Sequence, residues 1–317
     1  MKKATKIVLI VSGSVVLLAA GGLVFAGCKN STLEQIVRTF DLTEKEVQNI
    51  NFDLSTSNVE FIPTTDGTKK VMLYENERHW HEEKVEDKTL YVVSKSSEKW
   101  YEKIGWDLTE KKVEIYYPST EFASLRIDCS TGNVKIPKEF SFNTCEIDLS
   151  TGNITYNANT KGSVLIESST GDISLSDVNA SSMRIKRSTG KASLTNVNVE
   201  DSLVLEGSTG RTELEKIRSK TIDISGSTGI VKLNDIVATE KIKVKVSTGD
   251  VKFSDVDAGT EIDIETSTGD VEGSLLSGKT FDLRSDTGRI DVPPSTIGAP
   301  LCKVKTDTGD IKITVKA

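Results

Sequence analysis

The 317-residue chain is poor in the residues that most often carry chemistry: it has 2 His, 4 Cys, 6 Pro and 3 Trp. Two histidines leave few ways to build a His-based catalytic or zinc site. Both lie near residue 80, in the N-terminal third, so no Ser–His pair is expected. Four cysteines are too few for a disulfide framework in a chain of this length. Each Ser-Thr-Gly carries a single glycine, so the repeat itself is not a glycine-rich phosphate loop. Excess positive charge is also missing. The formal net charge is −7, and the first 27 residues hold Lys2, Lys3 and Lys6 with no acid, so the remainder carries −7 − 3 = −10. That argues against a nucleic-acid partner, because phosphate binding needs a basic face. Between Pro137 and Pro293 there is no proline at all, as an uninterrupted hydrogen-bonded ladder requires. What is present, 36% hydrophobic and 27% charged residues, is the composition of a globular chain.

The N-terminus reads as an address. Behind the three lysines, Ile7 to Ala26 runs without a charge. At about 1.5 Å per residue, such a helix is about 30 Å long, enough to cross a hydrocarbon core. Phe25-Ala26-Gly27-Cys28 also resembles a lipobox, which would make Cys28 a lipidated first residue. An uncleaved helix over residues 7–26 and a lipid on Cys28 are the two readings. Both expect attachment to the cell membrane with the bulk of the chain outside the cytoplasm.

The dominant signal is a repeat. Ser/Asp-Thr-Gly recurs with its glycine at Gly132, Gly152, Gly171, Gly190, Gly210, Gly229, Gly249, Gly269, Gly288 and Gly309, a period of 19–21 residues. Ser55-Thr56-Ser57 is a degenerate copy that has lost its glycine. Seven and five residues before each glycine stand apolar pairs such as Leu125/Ile127, Ile222/Ile224 and Cys302/Val304. Two and four residues after it come pairs such as Val134/Ile136 and Val251/Phe253. Alternation with period two is a half-buried strand. Glycine accepts a positive φ and turns the chain, and the preceding Thr is expected to keep the inward parity. One such unit cannot bury its own apolar face, so successive units must stack. The expected fold is all-β: a single-chain β-solenoid of about ten coils over residues 119–317. An irregular β cap (49–118), a tether (29–48) and the membrane anchor or lipoprotein signal (1–28) precede it. No separate C-terminal cap is visible. Either the loop 293–300 folds over the end, or the final strand Ile311–Val315 is free to pair with a partner.

Candidate sites are few. His79-Trp80-His81 with Glu82 and Glu83 is the one His cluster. His79 and His81 would share a strand face and could hold a metal, but an exposed hairpin edge is the favoured reading, and no metal site is assigned. Cys129, Cys145 and Cys302 fall on inward slots and read as small core hydrophobes. Cys129 and Cys145 sit four positions apart on adjacent coils, about 13 Å, too far for a disulfide. Asp128, Asp148 and Glu167 stack on successive coils. Lys186, Glu206, Lys245, Glu265 and Arg284 then mix the signs. The expectation is a solvated face, with Ca²⁺ binding by the three carboxylates as the competing one. No catalytic or cofactor-binding residue is marked.

Together, the lysine-headed segment, the aromatic β region ending at Val113–Pro118 and the coils of the form apolar-x-apolar-x-x-Ser-Thr-Gly-Asp/Asn-apolar-x-apolar resemble the bacterial putative-adhesin family, envelope β-solenoids of unknown function. The resemblance covers about residues 45–317. It implies surface exposure and adhesion or envelope sensing, and it carries over no catalytic residue. Three functions are therefore weighed. The favoured one is a surface binding or structural module contacting cell-wall polymer or an envelope protein. An accessory of an envelope-stress system comes second, and a polysaccharide-acting β-helix enzyme third. Tight coils without long loops argue against an enzyme.

Overall fold

The computed structural model describes residues 7–9, 33–97 and 109–316. It is an all-β solenoid whose coils stack in parallel register. Isoleucine, leucine and valine five before each corner form one continuous row: Ile127 pairs with Ile147, then Ile166, Ile185, Leu205, Ile224, Val244, Ile264 and Val304. All of these are buried. A β-branched or leucine side chain repeated at every coil packs on its own copy above and below, which gives each coil the second apolar surface it lacks alone.

The corner glycines lie in register along one edge. Their φ values run from +129° to +158°. A Cβ at any of them would sit 1.6–2.2 Å from a neighbouring corner's carbonyl oxygen. Two demands therefore converge on one residue type: a backbone conformation L side chains rarely adopt, and a backbone approach that leaves no room for a methyl group. The expectation that the preceding Thr points inward is overturned. Ser and Thr of each corner are both exposed, because the ladder skips the serine: Leu149 pairs with Ser168, then Thr151 with Thr170. The skipped serine acts as a bulge and shifts the parity by one residue.

A second turning point falls six residues after the glycine, where Asp177, Asn196, Lys216, Asp235 and Asp255 have φ between 54° and 59°. Asn and Asp tolerate this left-handed region better than other side chains. A short third run follows, with Val178, Val197, Ile217, Ile236 and Val256 buried. Residues just after the glycine add a side-chain ladder. The Asn133 amide donates to Asn58 Oδ1 (2.8 Å), Asn153 to Asn133 (3.0 Å), Asp172 to Asn153 (2.9 Å) and Lys191 to Asp172 (2.8 Å). The frequent Asn and Asp at this position thus serve the backbone of the next coil.

Coil order departs from chain order at both ends. Near the N-terminus, Asn49–Thr56 lies between Thr120–Thr131 and Thr89–Ser96, parallel to both. Asn58–Thr64 likewise pairs in parallel with Lys112–Pro118. Much of 49–118, expected to be irregular, therefore continues the solenoid. Ser57 occupies the corner position, since its amide donates to Thr131 O and its carbonyl faces Gly132. The end is closed by antiparallel strands: Lys70–Glu75 on Lys112–Pro118, Gln35–Asp41 on Lys70–Glu75, and His79–Glu86 on Thr89–Ser96.

At the other end, Leu301–Thr308 inserts between Glu261–Thr268 and Thr280–Thr287. Ile311–Val315 likewise inserts between Val271–Leu275 and Ile290–Asp291. The final strand is therefore not the free edge. Residues 280–291 form that edge, and the loop 293–300 bonds back to it through Ser295 Oγ, which accepts from the Phe281 amide.

Ile7–Leu9 pair antiparallel with Gln35–Val37. The rest of the expected membrane segment 7–26, and Cys28, lie outside the described residues. Among the described residues no helix is long and apolar enough to cross a membrane.

Candidate functional site

The bulged serines form an exposed row along the rod, one per coil. Beside them, two positions earlier in each coil, runs the charged column. Between the two rows lies a groove of about 810 Å³ that reaches from Asp148 and Ser150 to Lys245 and Ser247. Those positions span six coils, or five spacings of about 4.8 Å, roughly 24 Å. One wall is hydroxyl at every step. The other reads Asp148, Glu167, Lys186, Glu206, Ser225 and Lys245, a mixture of both signs with one hydroxyl, and some of its charges pair along the row: Lys186 Nζ lies 2.8 Å from Glu167, and Lys245 Nζ 3.1 Å from Glu265 on the next coil. Gly207 and Gly226 form part of the floor. Such a surface presents many weak hydrogen-bonding positions at a fixed repeat and little apolar area. It suits an extended hydrophilic chain better than a compact apolar ligand.

The carboxylate column at the acidic end of the groove behaves as a repelling row. Partial burial, with Asp128 and Glu167 on either side, pushes the Asp148 carboxyl above its ordinary value. Glu167 has turned to Lys186 instead of toward a shared cation position. Among the described residues no group of three or more His, Cys, Asp or Glu side chains is arranged to hold a metal ion.

A second polar cluster lies at the capped end, and it corrects the expectation that no serine meets a histidine. Ser57 Oγ is 3.1 Å from His81 Nε2, and His81 Nδ1 is 3.2 Å from Glu75 Oε1. Arg38 Nη2 donates to Glu75 Oε1 (3.0 Å), to Glu83 Oε2 (2.7 Å) and to the His81 carbonyl (2.5 Å). Burial pushes the Glu75 carboxyl up, but the hydrogen bonds from His81 and Arg38 outweigh it and hold the group below its usual value. The order Ser–His–Glu resembles a hydrolase triad in connectivity only. Ser57 is 1% exposed, and its hydroxyl also donates to Thr56 O at 2.6 Å. Its role is visible in the stacking. Every other corner points its missing Cβ at a neighbouring corner's carbonyl, whereas Ser57 belongs to the outermost full coil and meets His81 there. His81 is thus buried, not on an exposed edge, and both of its ring nitrogens are engaged, which removes it from a metal site with His79. Sequence reasoning missed the pair because the contact joins positions 24 apart through strand pairing. The lost glycine at Ser57 was the available signal.

The three cysteines of the solenoid are free and buried. Burial pushes the Cys145 and Cys302 thiols up to about 12 and raises Cys129. They are core side chains, not nucleophiles.

A family model matches residues 47–208 and again 201–317, covering nearly all of the solenoid and its capped end. The chain belongs to the Toastrack DUF4097 family. No curated protein matches it. Solved structures similar to this Toastrack chain include a putative adhesin from Bacteroides fragilis, 16% identical, covering 88% of this chain and 97% of the other at a TM-score of 0.43. A putative lipid binding protein from Parabacteroides distasonis is 15% identical, with 90% and 98% coverage and a TM-score of 0.46. A putative cell adhesion protein from Clostridium sporogenes is 10% identical, with 90% and 100% coverage and a TM-score of 0.24. At these scores the likenesses carry no argument about function.

Proposed function

We propose that this Toastrack protein is a membrane-anchored, extracytoplasmic rod that binds an extended hydrophilic polymer of the cell envelope along its serine-walled groove, in the manner of an adhesin-like or structural module. The observation that carries the reading is the groove itself, in which one hydroxyl per coil is offered at a constant spacing over six coils. A polymer with a comparable repeat gains many weak contacts at once, and such contacts multiply without any single deep pocket. Anchoring is supported by the uncharged stretch Ile7–Ala26 behind Lys2, Lys3 and Lys6, with a lipid on Cys28 as the other route to the same place. Catalysis forms no part of the reading, since Ser57 and His81, the Ser–His pair found among the described residues, are both buried.

The test is cosedimentation of the full-length protein, purified in non-ionic detergent, with isolated cell walls. Ser188→Trp with Ser208→Trp fills the middle of the groove from exposed positions and is expected to abolish binding while leaving the far-ultraviolet spectrum unchanged. Binding that persists in this variant refutes the groove. New reducing ends or unsaturated products from the same polysaccharides would overturn the non-catalytic reading.

A further inference from the structure

Three residues before the corner glycine, the side chain points inward, and along the rod this slot reads Leu149, Ser168, Arg187, Gly207, Gly226, Val246 and Thr266. Leu149, Val246 and Thr266 are core residues. Arg187 is 93% buried in the same slot. Its Nε donates to Gly190 O (3.1 Å) and its Nη2 to the buried Thr212 Oγ1 (2.8 Å). Among the described residues no carboxylate is bonded to it. Among the described residues the other buried Lys or Arg side chain, Lys279, is bonded to Asp257. Guanidinium remains charged even when desolvated, and a buried cation without a counter-charge is costly. Burial pulls the Arg187 pKa below its ordinary value, with Asp172 acting through space in the other direction.

The coils beyond Arg187 make room. Its guanidinium lies against Gly207, where a Cβ would come within 3.1 Å of Cζ. Next to it, at Gly226, there is a partly open space of about 10 Å³ beneath the groove floor, bordered by Arg187, Thr212, Thr228, Ile224 and Val246. That is about one water-sized probe. One coil below, Ser168 Oγ is buried with no hydrogen-bond partner. A lone buried cation, two successive positions without side chains and an orphaned hydroxyl thus share one seam. The space is too small for a carboxylate, sulfate or phosphate.

We propose that this seam binds a single monatomic anion, chloride in the cell, seated beside the Arg187 guanidinium in the space left by Gly226. The anion supplies the counter-charge that no side chain provides. The site lies under the floor of the groove, with which it shares Arg187, Gly207 and Gly226, and its occupancy is read by halide alone, without any polymer present.

The test uses the full-length protein in detergent. Thermal unfolding is followed at fixed ionic strength and pH as sodium gluconate, whose anion cannot fit, is replaced by sodium chloride or bromide. The midpoint is expected to rise with halide and saturate, by about 2–4 °C. Arg187→Met removes the cation, and Gly226→Ala fills the space with a methyl whose nearest neighbour is 3.5 Å away. Both variants are expected to lose the halide dependence, and the second keeps the question answerable if the first fails to fold. Bromide-soaked crystals should show one anomalous peak beside the guanidinium. A native midpoint indifferent to halide, an equal rise in Gly226→Ala, or a water-only density at that position overturns the proposal.

Discussion

Replacing Gly152 by alanine tests the winding directly. Its φ is +135°, and the added Cβ would lie 1.6 Å from Gly132 O. Reaching even a 3.0 Å contact requires the two corners to part by about 1.4 Å. The bonds that hold them are Gly132 N–H to Thr151 O and Val134 N–H to Asn153 O, both 2.9 Å. The backbone conformation costs about 1–3 kcal/mol for a residue with a side chain. Losing one or two ladder bonds adds about 1–3 kcal/mol. The expected destabilisation is therefore about 2–6 kcal/mol. Gly226→Ala is the matched control, compared in halide-free buffer so that the anion proposed beside Arg187 plays no part: its φ is not positive and its Cβ meets nothing closer than 3.5 Å, so it should cost less than about 1 kcal/mol. Urea denaturation followed by far-ultraviolet circular dichroism gives the difference. Hydrogen exchange gives its location, because coils couple mainly to their neighbours. Amides of 131–151 and 163–170 should lose protection while those of 301–315 keep it. Equal midpoints for the two alanine variants would refute the account of the corners.

The side-chain ladder predicts that Asn153→Ala, which removes the acceptor for the Asp172 amide, destabilises by about 0.5–1.5 kcal/mol, and that Asn153→Asp restores most of the loss in a thermal melt. At the capped end the Glu75 carboxyl is held below its unfolded value. Its contribution to stability is therefore full above about pH 4.5 and is lost as pH falls through the folded value. Melts of Glu75→Gln should lack that acid loss and start from a lower midpoint at pH 7. With Cys145 and Cys302 thiols pushed up to about 12, native protein at pH 8 should leave both unalkylated by iodoacetamide, and both should react in urea, as read by peptide mass spectrometry.

The straight part of the rod was legible because it depends on period. Leu125/Ile127 and their nine counterparts state the strand, and the glycines state the corner. The second turning point was equally open to reading, in Asp177, Asn196, Asp235 and Asp255 six residues after the glycine, but without a glycine to mark it. Inward parity of the corner Thr was misread because alternation holds only where every residue pairs, and each corner serine does not. The Ser57–His81–Glu75 cluster was not legible, since nothing in its local sequence announces which strands will be neighbours. Arg187 was not singled out, because its slot also holds Ser168, Gly207 and Gly226 and carries no apolar pattern for a cation to break; its solitude is a property of the stack.

The order of coils at the ends could not be read, because strands of the same pattern fit equally well at any level. Leu301–Thr308 matches Glu261–Thr268 residue for residue, and so would Thr280–Thr287. What separates them is burial. Cys302, Val304 and Thr306 are interior, whereas Phe281 and Leu283 are half-buried and Ile290 is exposed. The more apolar and better-filled coil, 301–315, takes the inner level, and the weaker one is left outside with the proline loop 293–300 bonded to its edge. A similar exchange at the other end puts Asn49–Thr64 inside and the strands 89–96 and 112–118 outside. In both places a chain segment that comes later or earlier in sequence crosses the last full coil. A solenoid wound in strict order frays one coil at a time from its ends. Here the last coil in sequence has partners on both faces, so its loss uncovers two ladders. The rod is thus locked at its ends by topology, and the repeated middle is free to keep one geometry over the length of the groove.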